Sequence, residues 1–227
     1  MIKLLYRKLP LRLRTIIYHR VLRKGCSDPE EIFVEQLVLM KQKREGPLRL
    51  AEVGVDKGST TRAVLEHLNS DDTMDLYDRS SAPLFKDKRQ VLSLGLNVKF
   101  FENSCRLFDN YAWTIVKQIE HDNHGMIVPK YDLVFIDGAH TFTIDFCATS
   151  LMKELIKPGG VIILSDLNWT IRNSPSVNTR FMRKSFTNEQ LKEPHVALIV
   201  KNCLESDNRF IRLDSTDPES ALFQRKN

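Results

Sequence analysis

Four times between residues 48 and 156 a short apolar run gives way to a helix-length amphipathic stretch, and a fifth run follows at 160–164. This alternation constrains the fold more than any other feature. The runs at 48–55, 73–77, 97–101, 131–136 and 160–164 read as strands β1 to β5, with helices over 59–68, 83–94, 107–121 and 142–156. A crossover long enough to hold a helix returns the chain to the same edge of the sheet, so successive strands pair in parallel. The end of the chain departs from this rhythm. Residues 196–200 and 210–213 are two apolar runs with no room for a helix between them, and they read as an antiparallel hairpin. The expected architecture is α/β: a doubly wound, mostly parallel, seven-stranded sheet finished by a C-terminal antiparallel hairpin.

This domain is expected over 46–227, preceded by a basic helical extension over 1–45. Ser27-Asp28-Pro29-Glu30 is a helix start, with a capping side chain, a proline suited to the first turn and acids at the positive end of the dipole. Residues 1–24 hold eight Lys and Arg and no acid; with a net charge of +5 overall, the remaining residues sum to −3. The basicity therefore belongs to one end, and no nucleic-acid partner is expected from it. Apolar residues alternate with those cations, which suits docking on the chain's own domain, contact in a homodimer, or peripheral attachment to an anionic membrane. No apolar run approaches the ~18 residues of a membrane span, and no secretory signal is expected. Cys26, Cys105, Cys147 and Cys203 are scattered and form no CxxC pair, so neither zinc nor a disulfide framework is indicated; a reducing, cytoplasmic setting is expected, with membrane association through the basic end as its variant.

The chemistry-bearing residues gather where strands end. Glu52-Val53-Gly54-Val55-Asp56-Lys57-Gly58-Ser59-Thr60-Thr61 spans the turn from the first strand into its helix. Gly54 and Gly58 allow a sharp turn and close approach of a ligand. The spacing is not Gly-x-Gly-x-x-Gly and lacks the Gly-Lys-Ser/Thr of a phosphate loop, so a pyrophosphate cradle, and with it a nicotinamide oxidoreductase, is disfavoured. A turn open to an uncharged ribose and an amino-acid tail fits better, with Glu52 able to meet an ammonium. Asp78 ends the second strand about 20 residues beyond the turn, placed to accept from ribose hydroxyls. Asn103 and Ser104, after Glu102, stand where the third strand ends and would line a base.

Two further stretches are specific: Phe135-Ile136-Asp137-Gly138-Ala139-His140-Thr141-Phe142, and Lys157-Pro158-Gly159-Gly160 leading to Leu164-Ser165-Asp166. Asp137 and Asp166 end adjacent strands about 4.8 Å apart, and two carboxylates so close share either a proton or a cation. With the glycine turn and Asp78, these stretches resemble the class I S-adenosylmethionine-dependent methyltransferases, a Rossmann-like family, and within it the branch of macrocin-type sugar O-methyltransferases. The likeness covers about residues 48–168. It implies methyl transfer from S-adenosylmethionine to a hydroxyl of a glycan, sugar or small metabolite. It implies Glu52, Gly54, Gly58, Thr61, Asp78, Asn103, Ser104 and Asp137 as cofactor contacts, and Asp137 and Asp166 as ligands of a divalent metal such as magnesium. The sequence departs from that pattern at Leu167, where relatives carry a further acid or amide; Asn168 is the substitute ligand. His140, with an ordinary pKa of ~6.5, is a candidate general base beside Asp137. Residues 168–194, with Trp169, Arg172, Arg180 and Arg183, read as a cap on the substrate side. A metal-dependent oxygenase on the same scaffold and a non-catalytic cofactor-binding protein are the rival readings. His19, His67, His121, His124 and His195 fall in no constellation.

Overall fold

The computed structural model describes residues 29–106, 108–174 and 177–227. The basic segment 1–24 lies outside the described residues. Helix α1 (Pro29–Lys43) leads into β1 (Arg49–Val53), α2 (Ser59–Leu65), β2 (Thr73–Arg79), the short helices α3 (Pro83–Lys86) and α4 (Lys88–Leu92), β3 (Asn97–Asn103), α5 (Tyr111–Asn123), β4 (Tyr131–Ile136), α6 (Phe142–Leu155) and β5 (Ile156–Leu164). Then come α7 (Arg180–Ser185), α8 (His195–Ile199), a π-helical turn (Val200–Glu205), β6 (Phe210–Leu213) and β7 (Ala221–Arg225). The sheet has seven strands in the order β3-β2-β1-β4-β5-β7-β6. β1 to β5 run parallel, and β7 lies antiparallel between β5 and β6.

Because strand side chains alternate in direction, each central strand feeds two cores. Ala51 and Val53, Val134 and Ile136, and Ile162 and Leu164 face one layer with Ile115 of α5 and Met152 of α6. Leu50, Leu133, Phe135 and Ile163 face the other, where Phe33 and Leu37 of α1 and Val64 of α2 close over them. All six residues of β4 are buried, as a strand covered on both faces requires. In that second layer Phe33 stacks on Phe135 with ring centroids 5.1 Å apart, so α1 is part of the core.

The C-terminal hairpin exists, with the strand expected at 210–213 in place as β6, but its other strand is not the one expected. Residues 196–200 are not a strand: they belong to α8 and run on into the π-helical turn. Val196, Ile199, Val200, Cys203 and Leu204 are buried, a three-and-four spacing that lays one helical face on α6. The β-branched composition suggested a strand; the periodicity carried the correct signal. The partner of β6 is β7, which the sequence reading overlooked, and it inserts beside β5. Helix boundaries also move. The helix expected over 83–94 breaks at Asp87 into α3 and α4. α5 starts at Tyr111 rather than 107, because the Asn110 side chain accepts from the N–H groups of Ala112 and Trp113. No helix among the described residues is long and apolar enough to cross a membrane.

Candidate active site

The order β2-β1-β4-β5 places a topological switch point between β1 and β4, where chain connections leave in opposite directions and a crevice opens beyond the strand ends. Register brings the singled-out residues to that edge. Val53 pairs with Tyr77 and Ile136, and Ile136 with Leu164. Gly54, Asp78, Asp137 and Ser165 are therefore the next residues on four neighbouring strands.

The glycine turn is a close approach of backbones. Gly54 has φ +87°, and a Cβ there would sit 2.0 Å from the Asp137 carbonyl oxygen. Gly58, at φ +74°, precedes α2 and lies against Leu84. Asp78, buried at the end of β2, accepts from the N–H groups of Val55 (2.8 Å), Asp56 (2.7 Å) and Arg79 (2.6 Å). Its carboxylate thus shapes the turn, with about one of four acceptor positions left for a ribose hydroxyl. Glu52 is buried and accepts from the Thr61 hydroxyl at 2.7 Å, tying strand to helix. Asn103 donates to the carbonyls of Ser104 (3.3 Å) and Asp109 (3.1 Å), while its Oδ1 is buried with no hydrogen-bond partner among the described residues. Ser104 opens a cavity of about 630 Å³ with Arg106, Phe108, Asp109 and Trp113.

Beyond β4 and β5, Asp137, His140 and Asp166 converge. His140 Nε2 lies 2.9 Å from Asp137 Oδ1 and 3.2 Å from Asp166 Oδ2. His140 and Asp166 have φ of +53° and +61°, the left-handed region that is costly for residues with a Cβ. The loop is held there by Asp145, a buried residue of the first turn of α6 that the sequence reading missed. Asp145 accepts from Ala139 N at 3.0 Å and Thr141 N at 3.1 Å. Burial holds its carboxyl above the ordinary range, against the His140 charge and the loop N–H groups that pull it down. An acid four residues after Thr141, the residue at the N-cap position of α6, was a signal available in the sequence. Tyr111 was also missed: its ring approaches Gly138, and burial together with Asp78, Asp145 and Asp137 pushes its hydroxyl well above the usual value.

The ordinary pKa on which the base role of His140 rests does not hold here. Burial opposes the charged ring, yet hydrogen bonds to Asp137 and Asp166 outweigh it and push the imidazole up to about 10. Near neutral pH the ring is an imidazolium that donates to the carboxylates. Asn168 directs its donors to Glu219: its side-chain amide donates to one Glu219 oxygen at 3.1 Å, and its backbone N–H to the other at 3.1 Å. Leu167 is buried. Trp169 does reach the site, its ring 4.9 Å from that of His140. Arg172, Arg180 and Arg183 are exposed on the segment that follows.

A Rossmann-like sheet with an antiparallel last pair, a glycine turn at the switch point and a polar cluster at the β4 and β5 ends defines the fold of the class I methyltransferases. The chain belongs to the methyltransferase domain family, whose model matches residues 51–167. Solved structures with the same fold include CalS11, a TDP-rhamnose 3'-O-methyltransferase of calicheamicin biosynthesis (12% identity, TM-score 0.57, 98% of this chain and 90% of that one). The O-methyltransferase TomG from Streptomyces achromogenes, solved with S-adenosylmethionine, is similar (14% identity, TM-score 0.54, 97% and 91%). So is MycE methyltransferase of the mycinamycin pathway, solved with Mg and S-adenosylhomocysteine (12% identity, TM-score 0.52, 85% and 49%). The chain spans 58% of the CurJ carbon methyltransferase, another structure of this fold. A search of curated protein sequences found no match.

Proposed function

We propose that this methyltransferase-family chain transfers the methyl group of S-adenosylmethionine to a hydroxyl of a sugar or small metabolite, with help from a divalent cation. The observation that carries the reading is the convergence, at one switch point, of the Gly54 turn, Asp78 and the Asp137–His140–Asp166 cluster. The residues fit the cofactor. Asp78 keeps acceptor capacity for ribose, and the unpartnered Asn103 Oδ1 is an acceptor suited to a base amino group. The bound cofactor supplies an electrophilic methyl group on a sulfonium. TomG, solved with the cofactor, and CalS11, which acts on a nucleotide sugar, lend the reading support as proteins of the same fold.

The residues also fit a divalent cation. Bond lengths of ~2.0–2.2 Å put neighbouring ligands of an octahedral ion about 3 Å apart, and His140 lies 2.9 and 3.2 Å from the two carboxylates. An imidazole beside two carboxylates suits manganese or iron at least as well as magnesium, which prefers an all-oxygen shell. Such an ion supplies Lewis-acid activation of the acceptor hydroxyl. This chain's own residues do the rest. Asp137 and Asp166 orient the hydroxyl, Trp169 walls the acceptor side, and positioning in line with the methyl group accounts for most of the rate. The hydroxyl proton must leave as the new C–O bond forms. With a cation held by Asp137, Asp166 and His140, Nε2 gives up its own proton and is occupied, so the hydroxyl proton passes to solvent rather than to His140.

Calorimetric titration with S-adenosylhomocysteine tests the cofactor assignment. Micromolar binding is expected, and undetectable binding at millimolar ligand would remove the central claim. A second titration, with manganese alone, tests the cluster: binding should be lost in Asp166→Ala while cofactor affinity is kept. Manganese affinity unchanged in that variant would rule out the metal assignment.

A further inference from the structure

We propose that His195 is a positioning residue that pins the loop bearing His140 to the 187–191 turn of the cap. His195 was assigned no role on sequence grounds, yet it is 4% exposed and both of its ring nitrogens are engaged. Nε2 lies 2.8 Å from the Gln190 carbonyl oxygen. That oxygen can only accept, so Nε2 carries the proton. Nδ1 lies 3.1 Å from the N–H of Phe142, which can only donate, so Nδ1 is bare. The two partners select one neutral tautomer between them. Burial holds the imidazole below its ordinary range, which keeps the ring uncharged and the acceptor nitrogen available.

What the ring joins gives the contact its consequence. Phe142 opens α6 and directly follows Thr141, whose N–H is taken by Asp145 together with that of Ala139. Asp145 therefore secures the His140 loop from within α6, and His195 secures its exit at Phe142. Gln190 sits in a compact turn closed by Leu191 N to the Thr187 carbonyl at 3.0 Å, and Arg172 N donates to the Leu191 carbonyl at 2.8 Å. Arg172 lies three residues beyond Trp169, the residue whose ring meets His140. The cap thus touches the loop at Trp169 and again through His195, enclosing His140 between two fixed points. A left-handed residue such as His140 persists only where its surroundings over-determine it. The inference rests on the reading of His140 as part of the active site.

The test uses the full chain labelled with nitrogen-15. The wild-type His195 ring should show a protonated Nε2 and an unprotonated Nδ1 at neutral pH. In His195→Leu the ring resonances of His140 should shift, and tryptic cleavage at Arg172, Arg180 and Arg183 should quicken about tenfold, the scale expected for losing a buried hydrogen bond. In His195→Gln, whose carbonyl can accept from Phe142 and whose amide can donate to Gln190, both should return towards wild type. A charged ring or an Nδ1–H tautomer in the wild type would overturn the proposal. So would wild-type His140 resonances in the Leu variant, or a Gln variant that behaves like Leu. Should His195→Leu fail to fold, the wild-type tautomer and the Gln variant still decide. S-adenosylhomocysteine affinity, measured alongside, should be equal in all three proteins. Absence of binding in the wild type would remove the proposed function and leave the ring resonances to judge His195.

Discussion

Gly54 and Asp78 divide one task between backbone and side chain. The Gly54 position requires φ +87° and stands so close to the Asp137 carbonyl that a methyl group has nowhere to go. Gly54→Ala should cost about 3 kcal/mol or more, combining left-handed strain with a clash that only strand displacement relieves. Thermal denaturation measures this, and a change below about 1 kcal/mol would contradict the close approach. Asp78 answers from the neighbouring strand by gathering the N–H groups of Val55 and Asp56 on one oxygen. Asp78→Ala removes a charged acceptor from the turn and from the expected ribose contact. Cofactor affinity should fall by one to two decades, the ~1.5–3 kcal/mol of a charge-assisted hydrogen bond. Titration calorimetry on the two proteins checks it. At this scale the sequence was most legible, because a glycine turn, a strand-end acid and Asp-Gly-Ala-His are local patterns. Asn168 escaped it: the direction its amide takes depends on Glu219, a residue 51 positions away.

Between elements, ion pairs and caps fix the angles at which helices meet the sheet. Asp72 is 1% exposed and accepts from Leu48 N at 2.8 Å, Asn69 N at 2.7 Å and Lys41 Nζ at 2.5 Å, joining α1 to the entrances of β1 and β2. Burial acts to raise its pKa, but the Leu48 N–H, the Lys41 ammonium and the Asn69 N–H outweigh it and hold the carboxyl below its ordinary 3.8. A depressed carboxylate contributes stability that is fully present above the unfolded value and is lost as pH falls through the folded one. Asp72→Asn should therefore cost about 1–3 kcal/mol at neutral pH and flatten the loss of stability below pH 4. Denaturant unfolding across that range measures it; an unchanged acid limb would show that Asp72 is not depressed. Elements were legible where period and composition agreed, as in β4 and α6. They failed where the two disagreed. Residues 196–204 are rich in Val, Ile and Leu, yet their apolar positions recur at helical spacing, and packing on α6 follows the spacing.

For the molecule as a whole, ligand binding and folding are linked, because the switch-point crevice exists only when β1, β2 and β4 are in register. S-adenosylhomocysteine at a hundred times its dissociation constant should stabilise the fold by about 2.7 kcal/mol, raising Tm by about 5–10 °C for a chain of this size. A thermal scan with and without the ligand gives the answer, and an unmoved Tm would argue against specific binding. The basic segment 1–24 invites a separate test. Deleting it and comparing mass by light scattering, then sedimenting the intact chain with anionic vesicles, separates docking on the domain, homodimer contact and membrane attachment. Identical mass and stability, with no vesicle binding, would leave none of these roles. The amino-acid sequence by itself determined the parallel α/β core, the glycine turn and the acids at the strand ends, since each depends on local periodicity or on residues adjacent in the chain. Only the tertiary structure decided that β7 enters between β5 and β6, that Asn168 turns to Glu219, that His140 lies between two carboxylates, and that His195 joins Phe142 to Gln190. Each of these is a contact between residues far apart in sequence, whose partners are chosen by packing and register, and no local pattern encodes that choice.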